Sequence, residues 1–474
     1  LIWVLLLPAL ATVAAPFLKK REAMVLSFLA FFIPFLVSFY WLFTGYTLEV
    51  AIQDVVGPIG RIYIYGDSLS HAFGFTIALI SAMVAVYSLP YMEHRFHEMG
   101  LDVGKEFRKY WLFYNLYAAS MLWLVYAGNF ILLYVFLEIS LIASFLLIYM
   151  YGYGNRQWVA LLYFVWTNVA GVLALIGFIL IGMQNGTMAM DAIKAVGMTA
   201  WLLVFVGMLI KLPGFGPHIW LPWAHAEAPT PVSALLSPLT VGLAGYVILR
   251  VYFIDSSFIE SYRIPILAYG IFTSIYAGLS VFRQKDFKRL LAYSTVSQMG
   301  YMLIGFAAGT FGVLGVVIQY ISHAFGKSIL FMSAGAIIAV YHGLRDVEKM
   351  GGMHEYVPTI SNAALLGFMT LSGILTVGMF GEFFILKGIA DIYGLSLTAI
   401  LPVIVVFIIS GLYSFYTMKN IFYGKPKGYE TPIVSRLLDT PLYVIGIISV
   451  LLILPPLATL FLAGVKIAFG GVLP

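Results

Sequence analysis

Apolar stretches of about 20 residues, separated by short polar connections, run through the whole chain. Fourteen can be delimited, at about 1–17, 23–44, 67–90, 110–127, 129–151, 158–183, 197–219, 232–253, 262–282, 291–309, 312–341, 361–389, 396–420 and 441–468. That is the length of helix needed to cross the hydrocarbon core of a bilayer. The residue-by-residue alternation of a membrane barrel is not the dominant pattern. The pattern predicts an all-α polytopic membrane protein with about 14 transmembrane helices. The longest polar stretches, 45–66 and 91–109, are too short for a core of their own, so residues 1–474 read as a single membrane domain. The first run is followed, not preceded, by Lys19, Lys20 and Arg21, which is the wrong order for a cleavable signal peptide. Leu1 in place of a methionine implies that translation starts a few residues upstream.

Charge tests the count. Connections after odd-numbered spans hold 18 lysines and arginines, and those after even-numbered spans hold five: Arg61, Lys194, Arg250, Arg263 and Lys466. Positive loops stay in the cytoplasm, so both termini are expected outside and the odd connections inside. A wrong number of spans would scramble this bias. Composition agrees, with 62% hydrophobic and 10% charged residues, against about 25% charged in soluble proteins. The net charge of +5 comes without a basic stretch carrying interleaved aromatics, so no nucleic-acid partner is expected. Cysteine is absent, which excludes disulfides and Cys-ligated clusters or zinc. His71 and His323 are the only histidines expected near mid-membrane, too few for a convincing bis-histidine haem. No P-loop, Rossmann glycine pattern or serine-nucleophile elbow is present. No cofactor is expected in this chain.

Three of the 26 basic residues are left over from the loop count, Lys211, Lys327 and Lys387, and each lies in an apolar run. Glu138 and Glu382 do the same, and His323 lies one helical turn before Lys327. A charge at mid-bilayer costs roughly 2.5–3.5 kcal/mol on insertion scales. Such groups are either buried structural pairs, snorkelling lysines, or members of an ion relay; Lys387, near the end of its span, suits snorkelling best. Several such sites of both signs in one chain favour a relay through Glu138, Lys211, His323, Lys327 and Glu382. Lys211 is followed by Pro213, Gly214, Gly216 and Pro217, and Glu382 is preceded by Gly373, Gly378 and Gly381, so spans 7 and 12 are expected to break. Spans 4–8 (110–253) and 9–13 (262–420) then form two five-helix units, after spans 1–3 (1–109) and before the last span (441–468). Five is odd, so the second unit starts from the opposite side of the membrane and the two are inverted if they are repeats.

Two stretches are more specific than composition: KLPGFGPHIWLPWAHAEAPTPVSALLS (211–237) and DFKRLLAYSTVSQMGYM (286–302). With HAFGKSILF (323–331) and GMFGEFFIL (378–386) they resemble the antiporter-like subunits of respiratory complex I, Mrp sodium/proton antiporters and membrane-bound hydrogenases. The resemblance runs from about the third span to the thirteenth. It implies fourteen helices, inverted five-helix repeats, and two half-channels joined by a polar axis along the midplane. It places Glu138 on the fifth-helix glutamate that pairs with the seventh-helix lysine, Lys211. It matches His323 and Lys327 to the eleventh-helix His-x-x-x-Lys, and Glu382 to the twelfth-helix site. His218, Ser237 and Lys387 are accessory candidates. The eighth helix departs from the family: Ser237 and Gly242 stand where many relatives carry a lysine or histidine, so water or hydroxyls must bridge there. Gln319 replaces a second histidine found in some relatives. The chain ends soon after the fourteenth span, as expected of the shorter type without the lateral helix.

The function this implies is proton translocation within a multisubunit, redox-driven ion pump in a prokaryotic cell membrane. Its expected partners are other membrane subunits, a peripheral redox arm that carries the cofactors, the lipid bilayer, and protons, with sodium as the other candidate ion. A subunit of an Mrp-type antiporter, a non-transporting structural subunit and a self-contained transporter of a small solute are the alternatives.

Overall fold

A computed structural model describes residues 3–467. One helical unit sits on each apolar run. In chain order these are α1 (Trp3–Ala14), α2 (Lys20–Thr44), α3 (Ser68–Glu98), α4 (Val103–Leu124), α5 (Phe130–Tyr151), α6 (Arg156–Asn185), α7a (Met198–Lys211) with α7b (Trp220–Glu227), α8 (Thr230–Ile254), α9 (Arg263–Val281), α10 (Phe287–Ala307), α11 (Gly309–Val340), α12a (Pro358–Leu371) with α12b (Gly378–Tyr393), α13 (Leu397–Phe422), and α14a (Arg436–Leu451) with α14b (Leu457–Ile467). Residues 1–2 and 468, the outer ends of the first and last runs, lie outside the described residues.

Among the described residues, eight helices are by themselves long and apolar enough to cross a membrane: α2, α3, α5, α6, α8, α9, α11 and α13. The others are short, broken in two, or, like α4 and α10, diluted by polar residues. Three of the eight differ from the rest. The apolar windows of α3, α8 and α11 are 94%, 100% and 89% buried, against 33–44% for the other five. These three are wrapped by neighbours on all sides, and the other five keep an exposed apolar flank. Side chains on α8 and α11 are therefore shielded from lipid, where polar groups are least costly in a membrane protein.

Short acidic or amide side chains start several helices. Asp67, Asp102, Asn129 and Asp286 each accept a hydrogen bond from a backbone N–H of the first turn that follows, at 2.9, 3.0, 2.8 and 2.8 Å. The expected breaks in spans 7 and 12 are present, at 212–216 and 372–377. A third, at 452–456, divides α14 where Pro455 and Pro456 fall; the prolines were a legible signal for it. The all-α expectation needs one correction. The polar stretch 45–66 contains an antiparallel hairpin, Leu48–Val55 with Gly60–Gly66, paired from Leu48↔Gly66 to Val55↔Gly60 with a bulge between Ala51 and Gln53. Its alternating EVAIQ and RIYIY segments are strand patterns, too short to register in a search for 20-residue runs.

Candidate ion-translocation axis

The break in α7 follows from Pro213, which has no N–H to donate, and from Gly216, whose φ of +92° is closed to other residues without strain. A break inside a membrane protein leaves backbone groups that must find partners. Trp220 Nε1 donates to Ile210 O at 2.9 Å, Tyr269 OH donates to Phe215 O at 2.6 Å, and Phe215 N donates to Thr273 Oγ1 at 3.2 Å. Lys211 is thereby held, 4% exposed, on the last turn before the break. Glu138, midway along α5, is its charge partner. The two are not in contact: among the described residues neither makes an ion pair within 4.0 Å. The Glu138 carboxylate rests against Gly171 of α6, where any side chain would displace it, with a long 3.5 Å contact from Asn168 Nδ2. Its Oε1 has no hydrogen-bond partner among the described residues. The pairing implied by the family resemblance is thus an electrostatic coupling across a gap.

The eighth helix carries no ionisable group at its centre, but it is not bare. Residues Leu236–Thr240 form a π turn, a wider turn often found at functional positions. It presents two hydroxyls in two directions. Thr240 Oγ1 hydrogen-bonds Tyr117 OH of α4, and Ser237 Oγ is 2.7 Å from Thr295 Oγ1 of α10. Ser237 O also faces His323 Nε2 at 3.4 Å. Hydroxyls of α8 thus reach α4 on one side and α10 on the other. Tyr117, Thr240 and Thr295 were missed in the sequence, where a lone hydroxyl in an apolar run has no distinguishing mark.

Lys327 is completely buried on α11. Its Nζ donates to Leu291 O at 2.9 Å and to Ser294 Oγ, both on α10. No carboxylate lies within 4.0 Å of it among the described residues. Beyond it, Gln319 Nε2 donates to Gln298 Oε1, and Gln298 Nε2 donates to Ser410 Oγ at 2.9 Å, Tyr413 OH at 3.1 Å and Leu371 O at 3.2 Å. Leu371 O is a carbonyl freed by the second break. Ser322 Oγ takes another, Thr370 O, at 2.9 Å. Glu382 lies on α12b just past that break. Its carboxylate is cradled by Gly373, whose φ is +65° and where a Cβ would stand 2.8 Å from Oε2. Tyr301 and Tyr413 sense its charge.

Of the accessory candidates, His218 lies in the α7 break and accepts from Gly216 N at 3.1 Å through Nδ1. Ser237 is part of the hydroxyl bridge. Lys387 stands apart: it pairs with Asp391 at 2.9 Å, half-exposed, with its Nζ 4.0 Å from the centre of the Phe311 ring. Glu382 forms no ion pair with Lys327 or Lys387. Two expectations are corrected. His71 and His323 are not the only histidines deep in the fold, because His225 on α7b is completely buried. Lys288, grouped above with loop charges, is also completely buried in the first turn of α10.

Comparison with known proteins decides the family. The model for "NADH:quinone oxidoreductase/Mrp antiporter, TM" matches residues 127–409, a range that includes Glu138, Lys211, Ser237, His323, Lys327 and Glu382. The chain belongs to that family. It is a multi-pass membrane protein with the antiporter-like fold. A Staphylococcus haemolyticus protein named as an antiporter subunit, mnhA2, is 30% identical over 76% of this chain and 48% of that protein. The F(420)H(2) dehydrogenase subunit M of Methanosarcina mazei is 31% identical over 65% of each. This chain spans about half the length of the mnhA2 relatives. Among solved structures, a chain of the Mrp complex from Dietzia sp. superposes with a TM-score of 0.85 at 20% identity, covering 98% of this chain and 96% of that one. A chain of respiratory complex I from Thermus thermophilus gives 0.82 at 22%, covering 98% and 99%. A chain of an archaeal membrane-bound sulfane sulfur reductase gives 0.82 at 20%, covering 95% and 75%.

Proposed function

We propose that the chain is a proton-translocating, antiporter-like subunit of a multisubunit ion pump, driven by redox chemistry in partner subunits. The observation that carries this reading is the row of ionisable groups without ion-pair partners among the described residues: Lys211, His323 and Lys327, which are buried, and Glu138 and Glu382, which are partly buried. Hydroxyls and amides stand between its members: Ser237 with Thr295, Ser294 on Lys327, and Gln319 with Gln298 and Tyr413. A static charge network would pair its members. Here the acids and bases are kept apart, so each can change protonation without breaking a direct contact. In this reading a proton taken up near Lys211 and Glu138 passes the Ser237–Thr295 bridge to His323 and Lys327, then leaves through Glu382. The fourteen helical units cross the membrane, those of spans 4–8 and 9–13 as two inverted repeats, with both termini outside, in keeping with the 18-to-5 charge bias. Redox cofactors belong to the partners, and sodium is the alternative ion.

An Mrp-type antiporter subunit is the second reading, favoured by the likeness to mnhA2 and to the Mrp complex chain. Purification through a tag on this chain separates the two: soluble redox subunits copurify in the first and only small membrane subunits in the second. In vesicles holding the purified complex, Lys211→Met, Glu138→Gln and Lys327→Ala should each abolish ion movement while assembly persists. His323→Ala should reduce it less, because water replaces an imidazole more readily than an ammonium. Normal pumping by the Lys211 or Lys327 variants refutes the reading.

A further inference from the structure

His225 is a polar side chain with nothing to do structurally. It is completely buried on α7b, and neither ring nitrogen has a hydrogen-bond partner among the described residues. Buried polar groups are nearly always partnered, and leaving one unpartnered costs about 1–3 kcal/mol. Its ring packs against Phe331 at 5.1 Å, a contact a phenylalanine could make as well. The charged groups that act on it are Lys288, Lys327 and His323. Lys288 is equally buried, and its Nζ donates to Ala228 O, three residues past His225 at the end of α7b. On α10, Lys288 lies one turn before Leu291 and two before Ser294, the two groups that anchor Lys327. Lys327 is thus tethered to the face of α10 that carries Lys288 one turn earlier, and the Lys288 amine is tethered at the end of α7b, with His225 within electrostatic reach of both.

Lys288, though buried, lies close to the basic face. Its Nζ is 5.9 Å from the centre of the Tyr153 ring, which Arg95 covers at 3.8 Å and Arg345 approaches at 5.8 Å. Arg345 is paired with Asp286 at 2.8 Å. Tyr153, Arg345 and Asp286 belong to connections after spans 5, 11 and 9, and Arg95 ends α3. All are on the face rich in lysine and arginine.

We infer that Lys288 and His225 form a proton inlet from this basic face to Lys327, which works together with the uptake at Glu138 and Lys211 so that flux requires both. A proton leaves the Lys288 ammonium for one ring nitrogen of neutral His225. The imidazolium releases the proton from its other nitrogen to the unprotonated amine of Lys327. Water at the basic face then reprotonates Lys288. Only N–H bonds are made and broken, and one proton moves inward.

This inference rests on the translocation reading above, and the test keeps the two separate. In vesicles holding the purified complex, proton uptake is followed with a pH-sensitive dye, the basic face exposed to the outer medium. Lys288→Gln keeps a donor for Ala228 O but cannot carry a proton, and His225→Phe keeps the packing on Phe331. The inlet requires each to slow uptake from the basic face at least tenfold while assembly and thermal midpoint hold. If the two residues are only structural, both variants pump normally, and that result overturns the inference. Should His225→Phe fail to assemble, His225→Gln decides by the same criterion. Lys327→Ala is the control: if it pumps, the translocation reading fails; if it is dead while both inlet variants pump, only the inlet fails.

Discussion

Glu382→Gln separates a static ion pair from a proton-carrying group. Glutamine keeps the size of the side chain and removes its charge. Breaking a buried ion pair by deleting one partner costs about 3–5 kcal/mol, because the other charge is left stranded. Glu382 makes no hydrogen bond and no ion pair within 4.0 Å among the described residues, and Lys387 is already committed to Asp391 at 2.9 Å. There is no partner to strand. The substitution removes a partly buried charge and places an amide against Gly373 in the same cradle. Stability should change by no more than about 1 kcal/mol, the size of one ordinary hydrogen bond, while translocation is lost. The thermal midpoint of the purified complex and dye-reported proton uptake in vesicles measure the two effects. A large fall in the midpoint would mean that Glu382 does hold a charge in place, and full pumping would remove it from the route. Glu382→Lys extends the test. With no base in contact, the variant should assemble and retain part of the flux.

Ser237→Ala should cost about 0.5–1.5 kcal/mol of stability, one neutral hydrogen bond, yet slow proton movement at least tenfold, while Ser237→Thr keeps the hydroxyl and most of the rate; equal rates in all three would show that the bridge to Thr295 is not on the path. Arg250 holds Asp67 through two hydrogen bonds of 2.6 and 2.8 Å and also takes Ser70 and Tyr246, so Arg250→Met should destabilise the protein by about 3–5 kcal/mol, read as a lower thermal midpoint in detergent. The chain lacks cysteine, so single cysteines report topology without background: Val56→Cys in the hairpin turn and Ile433→Cys after α13, both 98% exposed, should react with an impermeant thiol reagent from opposite sides, and labelling from one side would overturn the span count.

Much of the architecture was legible in the chain. Each apolar run carries a helical unit because a backbone surrounded by lipid can satisfy its N–H and C=O groups only within a helix or a closed barrel. The breaks after Lys211 and before Glu382 were legible too, since proline and glycine act on their own backbone whatever surrounds them. What the sequence could not convey is which groups meet. Glu138 and Lys211 are 73 positions apart, and whether they touch depends on the packing of α5, α6 and α7a. The structure leaves a gap that Gly171 shapes. Ser237 and Thr295 are two among many hydroxyls until the π turn of α8 turns one toward α10. Lys288 looks like a surface charge of the DFKR connection, yet α7b and α10 close over it. His225 sits in a motif that marks the family, but nothing in its neighbours along the chain shows that both ring nitrogens are left without partners. Helix formation and helix breaking are local, set within a few residues by propensity and by the bilayer. The charge relay is non-local, because burial and hydrogen-bond partners depend on helices brought together from distant parts of the chain.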